Sequence, residues 1–323
     1  MNNKKVAIIG GKGFIGKFVA ESFIKEKISY TIFDKIKNED TKFLDITDKT
    51  SFNGIDGHDV IINLAAEHRD DVKPTSQYDL VNVLGAKNIC EYASYQNVKE
   101  IIFTSSVAVY GFAEPNTDER GKINYFNDYG RTKFLAEKVY KDWYEEDPEN
   151  RKLVIVRPTV VFGEGNRGNV YNLIQQIKNN RFVMIGSGEN IKSLAYVRNV
   201  AEFIKFSLDL DKNYHIYNYI DKPDLSMNSL IKLLKKSING QESIGFRLPS
   251  AIGIFAGYLA DFIAIILQRK FSISSIRIKK FIKNTQFSSS NLGIVFKAPF
   301  SIEEGIKKTI EYEKKNDWHS QDR

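Results

Sequence analysis

Three side chains in the middle of the chain have the types and spacing for moving a proton on and off an oxygen: Ser106, Tyr129 and Lys133. Tyr129 and Lys133 stand four apart in Tyr129-Gly130-Arg131-Thr132-Lys133, a spacing that puts both on one face of a helix. A free phenol has a pKa of about 10 and is a poor base near neutral pH, but an adjacent ammonium favours its ionised form. Ser106 follows an apolar run that reads as a strand. A hydroxyl there faces the crevice of an open α/β sheet, where it can hydrogen-bond a hydroxyl or a developing carbonyl oxygen. An isolated tyrosine–lysine pair would be an exposed helix contact worth about 0.2–0.5 kcal/mol, so the reading depends on companion motifs.

The first companion lies at the N-terminus. Val6-Ala7-Ile8-Ile9 runs into Gly10, Gly13 and Gly16, three apart, and then into a helical pattern over 14–27. A strand, a glycine turn and a helix start let backbone N–H groups and the helix dipole approach a diphosphate. Gly10 permits the exit from the strand, Gly13 clears room for phosphates and Gly16 lets the helix pack near the sheet. A second apolar run, Tyr30-Thr31-Ile32-Phe33, ends at Asp34, where a carboxylate would accept hydrogen bonds from the ribose hydroxyls of NAD and repel a 2′-phosphate. The neighbouring Lys35 keeps NADP as the alternative.

Strand-like runs near 4–10, 29–34, 59–64, 99–105 and 152–158 alternate with helical patterns, the signature of a parallel doubly wound sheet. Beyond Gly163 the pattern breaks into turns and mixed helices. The expected organisation is α/β: a Rossmann-type dinucleotide-binding domain over 1–163, then a smaller mixed α/β substrate-binding lobe over 164–323 with segments returning to the sheet domain. With 323 residues, 42% of them hydrophobic, the chain can bury a core of that size. The net charge of +7 is spread among interspersed acids and bases without a nucleic-acid motif, so no nucleic-acid partner is expected. The four histidines are scattered and Cys90 is the single cysteine, which argues against a metal site or an internal disulfide. Met1-Asn2-Asn3-Lys4-Lys5 runs directly into the first strand, and a cytoplasmic location is expected.

These residues together resemble the extended short-chain dehydrogenase/reductase superfamily, in particular its NAD-dependent nucleotide-sugar epimerase and dehydratase branch. The resemblance implies that Ser106, Tyr129 and Lys133 are catalytic. It assigns cofactor contacts to Gly10, Gly13, Phe14, Ile15, Gly16, Asp34, Asp45, Ile46, Leu64, Ala65, Ala66, Asn82, Tyr129, Lys133 and Pro158. Ser105, Asn169, Arg198 and Arg277 are the implied substrate contacts, and a homodimer is implied as well. Family dehydratases carry an Asp-Glu pair after the catalytic hydroxyl; here those positions are Val107 and Ala108, which cannot transfer protons, so 4,6-dehydration is disfavoured. The cysteine used by relatives that invert C3 and C5 is also missing. What the resemblance leaves is hydride transfer at C4 of a hexose in a nucleotide sugar, with UDP favoured, by a 4-epimerase or a 4-ketoreductase of bacterial surface-polysaccharide synthesis. A non-catalytic NAD(P)-binding sensor or scaffold is the alternative, and the intact trio speaks against it.

One segment stands apart. Residues 251–267 are almost wholly apolar, interrupted by Tyr258 and Asp261. The run is short for a membrane span, and an acid at its middle would be costly in lipid. It reads as a helix buried in the substrate lobe, while Arg269 and Lys270 at its end sustain peripheral membrane contact as the alternative.

Overall fold

The computed structural model describes residues 4–52, 54–69, 72–267 and 274–318. Its strands are β1 (Val6–Ile9), β2 (Tyr30–Asp34), β3 (Lys42–Phe43), β4 (Val60–Asn63), β5 (Glu100–Thr104), β6 (Lys152–Pro158), β7 (Val160–Phe162), β8 (Met184–Ile185), β9 (Ile191–Tyr196), β10 (Tyr214–Tyr219), β11 (Asp221–Ser226) and β12 (Arg247–Leu248). The helices are α1 (Phe14–Lys25), α2 (Ser76–Tyr78), α3 (Gly85–Tyr95), α4 (Asp128–Glu145), α5 (Asn169–Lys178), α6 (Val197–Phe206), α7 (Met227–Asn239), α8 (Ser250–Leu267), α9 (Ser275–Ile282), α10 (Leu292–Val295) and α11 (Ile302–Trp318).

The chain divides into two compact units, one of 1–161, 195–220 and 287–300, the other of 162–194, 221–286 and 301–323. In the first, seven parallel strands follow the order β10-β6-β5-β4-β1-β2-β3. β1, β4, β5 and β6 are buried along their whole length, as strands covered on both faces must be. Alternate residues Ile61, Ile101, Phe103, Leu153 and Ile155 meet Ala86, Ile89 and Ala93 of α3 and Ala136, Tyr140 and Trp143 of α4. Residues between them, such as Ile62, Ile102 and Val154, face the opposite side of the pleat. The strand order reverses between β1 and β4, and the crevice at such a switch point is where open α/β sheets bind ligands. The chain returns to this sheet late: β10 pairs with β6 from Tyr214↔Leu153 to Tyr219↔Pro158.

In the second unit β9 pairs antiparallel with β11, and β8 pairs parallel with β12. α7 is capped at both ends, by Ser226 Oγ accepting from Ser229 N–H at 3.1 Å and by Gly240 in the left-handed region, φ +75°. The expectation for 251–267 needs correction. The segment is helical, as α8, but it is not buried: Ile252, Phe255, Tyr258, Leu259 and Phe262 are all exposed. The cause is its small residues. A Cβ at Gly253 would fall 2.4 Å from Ile185 Cγ2, and one at Gly257 2.8 Å from Ser275 Cα. The glycine face therefore packs inward and turns the bulky face out.

Candidate active site

The glycine loop is built for close approach. Gly10 has φ +76°, and a Cβ there would lie 2.6 Å from the backbone nitrogen of Ala65, so β1 and the Leu64-Ala65-Ala66 segment after β4 can meet only through glycine. A Cβ on Gly16 would lie 2.5 Å from Gly11 Cα. Its constraint is the turn of the loop itself rather than the strand surface expected. Gly13 precedes α1, which begins with no side-chain cap and no acid in its first turn. The N–H groups of Phe14, Ile15 and Gly16 thus remain orphan donors in the first turn, the arrangement that binds a diphosphate. Asp34 is buried at the end of β2; its two carboxylate oxygens accept from Lys12 N–H at 3.0 Å and Ile36 N–H at 3.1 Å. It ties the loop to β2 and keeps lone pairs for ribose hydroxyls. Asp45 Oδ1 accepts from the Thr47 backbone at 2.9 Å and its hydroxyl at 2.8 Å, while Ile46 is buried against Gly85. This set fits a dinucleotide with an unphosphorylated ribose.

Ser106, Tyr129 and Lys133 are positioned by local backbone contacts. Ser106 caps the short helical turn Val107–Tyr110, its Oγ accepting from Ala108 N–H at 3.1 Å. Asn127 caps α4, its Oδ1 accepting from Gly130 N–H at 2.9 Å, which puts Tyr129 in the first turn where helix dipoles favour negative charge. A Cβ on Gly130 would come 2.4 Å from Ala108 O. Glycine next to Tyr129 therefore lets the start of α4 lie directly on the Ser106 turn.

Lys133, one turn further, is buried, with Nζ 4.2 Å from the centre of the Phe103 ring. Burial pulls its pKa down to about 7, and the nearby charge of Glu137 works in the opposite direction. Glu137 is bound in turn by Arg157, with Nε to Oε1 at 2.8 Å and Nη2 to Oε2 at 2.5 Å. Burial alone would lower the Arg157 pKa, but hydrogen bonding and charge from Glu137 outweigh it and raise it. Arg157 also donates to Tyr110 Oη at 2.5 Å, and Tyr110 donates to Asn218 Oδ1 at 2.9 Å. Ser105, expected at the substrate, is buried in this network and donates its hydroxyl to Glu137.

Asn82 lies in a π-helical segment, Asp79–Leu84, between α2 and α3. Its Oδ1 accepts from Glu67 N–H at 2.9 Å, and its Nδ2 donates to Glu67 O at 3.0 Å and Thr132 Oγ1 at 2.9 Å. In the same segment Asp79 binds Arg131 through two bonds of 2.8 and 2.6 Å. The π segment thus clamps α4 at the two residues preceding Lys133. Pro158 closes β6 and is buried.

Of the four expected substrate contacts, Ser105 and Arg198 belong to the first unit and Asn169 and Arg277 to the second. Arg198 sits on α6 in the first unit, 2.9 Å from Glu21 of α1 and over the Phe18 ring. Asn169 opens α5 and Arg277 lies on α9, both exposed in the second unit. Glu137, Arg157 and Gly130 were not among the expected site residues. The one signal for Glu137 was its spacing, four residues beyond Lys133 on the same helix.

A parallel sheet with a glycine turn open to a diphosphate, a buried carboxylate at the end of the second strand and a serine, a tyrosine and a lysine brought near its edge is the architecture of a dinucleotide-dependent enzyme. Residues 6–219 match the NAD dependent epimerase/dehydratase family, and the chain belongs to that family, with NAD as its cofactor. It is 43% identical over 318 residues, 96% of each chain, to N-acetyl-alpha-D-glucosaminyl-diphospho-ditrans,octacis-undecaprenol 4-epimerase of Escherichia coli O157:H7. Among solved structures, it resembles the UDP-N-acetylglucosamine 4-epimerase of Methanobrevibacter ruminantium M1 in complex with UDP-N-acetylmuramic acid. The TM-score is 0.75 at 21% identity, covering 98% of this chain and 100% of that one. It also resembles the UDP-glucuronic acid 4-epimerase of Bacillus cereus in complex with NAD, with a TM-score of 0.74 at 18% identity, covering 97% and 99%.

Proposed function

We propose that the protein is an NAD-dependent 4-epimerase of an N-acetylhexosamine joined through a diphosphate to a polyprenol. The observation that carries this reading is an intact Ser106, Tyr129 and Lys133 trio in a chain 43% identical, end to end, to an epimerase named for that lipid-linked substrate. When bound, NAD would supply reversible hydride transfer at C4 of the sugar, held by the glycine turn, the first turn of α1 and Asp34. Tyr129 takes the proton of the C4 hydroxyl as hydride leaves and gives it back when hydride returns, so that no net reductant is consumed. Ser106 donates a hydrogen bond to the C4 oxygen while it is a carbonyl. Lys133 favours the ionised form of Tyr129, its ammonium supported by the nearby charge of Glu137 and its helix turn fixed by the clamp on Arg131 and Thr132.

A second reading, a UDP-sugar as substrate, is favoured by the solved structures of UDP-sugar epimerases that share the fold. Both follow the same C4 chemistry and differ in the group beyond the diphosphate. Purified protein is given N-acetylglucosaminyl-diphospho-polyprenol and, separately, UDP-N-acetylglucosamine, and the C4 epimer is followed by NMR without added reductant. Faster conversion of the lipid-linked sugar supports the first reading, and conversion of UDP-N-acetylglucosamine alone replaces it with the second. A mass gain of two hydrogens only with added NADH would make the enzyme a 4-ketoreductase.

A further inference from the structure

α8 is amphipathic in the wrong sense for a helix covered by water. Its inward face is made of Gly253, Gly257 and Asp261, the last accepting from Ser275 N–H at 3.2 Å. Its outward face carries Ile252, Phe255, Leu259 and Phe262, a stripe at helical spacing with Phe255 71% and Phe262 60% exposed. Phe246, just ahead of the helix, is 68% exposed. A contiguous exposed stripe of large apolar side chains marks a contact surface rather than ordinary surface scatter. The acid that would be costly against lipid is turned away from that stripe and hydrogen-bonded.

The charge around the stripe names its occupant. α9, whose Ser275 meets Gly257 of α8, carries Arg277, Lys279 and Lys280, with Lys283 just beyond it and no acid between 274 and 283. Tyr258 carries the transition from apolar to charged, its hydroxyl accepting from Lys279 Nζ at 2.7 Å. Bulky apolar and aromatic residues bordered by lysine and arginine are what binds a helix flat in the headgroup region of an anionic bilayer. No helix among the described residues is long and apolar enough to cross a membrane.

We infer that the outer face of α8 is a docking surface for anionic phospholipid, seating the enzyme where a lipid-linked sugar would be presented. That purpose rests on the polyprenyl reading above, but the surface itself is read from α8 and its basic border alone.

The test is co-sedimentation of the full-length protein, without any sugar, with vesicles of phosphatidylglycerol and phosphatidylcholine and with vesicles of phosphatidylcholine alone. The wild type is expected to pellet with the anionic vesicles and to be released as salt rises. Phe255→Ser/Phe262→Ser, which touches neither the glycine loop nor the trio, should weaken partitioning about tenfold or more. Its bound NAD and melting temperature should be unchanged, and raised salt should still release the wild type if the variant proves poorly folded. No pelleting by the wild type, undiminished pelleting by a folded variant, or a wild-type dimer in light scattering that the variant abolishes would each overturn the inference. The last outcome would make the stripe a contact between copies. Because the vesicles carry no sugar, this result is separable from failure of the polyprenyl reading, which shows only in the epimer assay.

Discussion

Replacing Glu137 by glutamine removes one charge and almost no volume from the network behind the catalytic lysine. Glu137 and Arg157 each expose about 5% of their side chains and are joined by bonds of 2.8 and 2.5 Å. The neutral amide would leave the Arg157 cation buried without its counter-charge, and breaking a buried pair from one side costs about 3–5 kcal/mol. For a unit of this size that corresponds to a fall in melting temperature of about 6–20 °C. Lys133 loses a nearby charge that opposes its desolvation, so its pKa falls further below about 7 and turnover drops with stability. Calorimetric melting with saturating NAD, on E137Q, Arg157→Met and the double variant, separates pairing from packing. The double variant should be milder than the sum of the singles by about 2 kcal/mol or more, because it no longer strands a buried cation. A cost under about 1 kcal/mol for E137Q, or strict additivity, would refute the view that this ion pair holds the lysine's helix.

Tyr129→Phe should keep bound NAD and the fold yet reduce kcat by about 10²–10⁴, measured by C4 epimer formation; near-normal turnover would remove Tyr129 as the proton carrier. Lys133→Met tests the buried ammonium through stability. A lysine depressed to about 7 in the native state and near 10.4 unfolded binds fewer protons when folded, so its cost is full below pH 7 and is relieved as pH rises to about 10. The stability of the wild type relative to K133M should therefore improve by about 2 kcal/mol between pH 7 and 9 in denaturant titrations, and a pH-independent difference would contradict the burial. Gly130→Ala introduces a Cβ 2.4 Å from Ala108 O and should lower kcat at least tenfold by lifting Tyr129 off the Ser106 turn, whereas normal kinetics would show that the contact is not needed.

What the sequence determined by itself was the part encoded in short windows. Gly10, Gly13 and Gly16 after an apolar run, Asp34 at the next run's end, and Tyr129 four residues from Lys133 are local patterns, and each strand of the sheet's centre could be read from an uninterrupted apolar stretch. The departures at Val107 and Ala108 were equally local and narrowed the chemistry to C4. Tertiary structure decided everything that depends on residues distant in sequence. β10 joins the sheet beside β6 from more than fifty residues away, and Arg157 reaches back to Glu137 to complete a network whose members look like ordinary surface charges when read singly. Ser105 and Arg198 carry side chains suited to a sugar or a phosphate, but composition cannot say that Glu137 and Glu21 engage them. α8 makes the point most sharply. An apolar run predicts burial when its bulky face is assumed to seek the core, yet Gly253 and Gly257 permit closer approach than phenylalanine does, so the small face wins the interior and the large one is left for another surface.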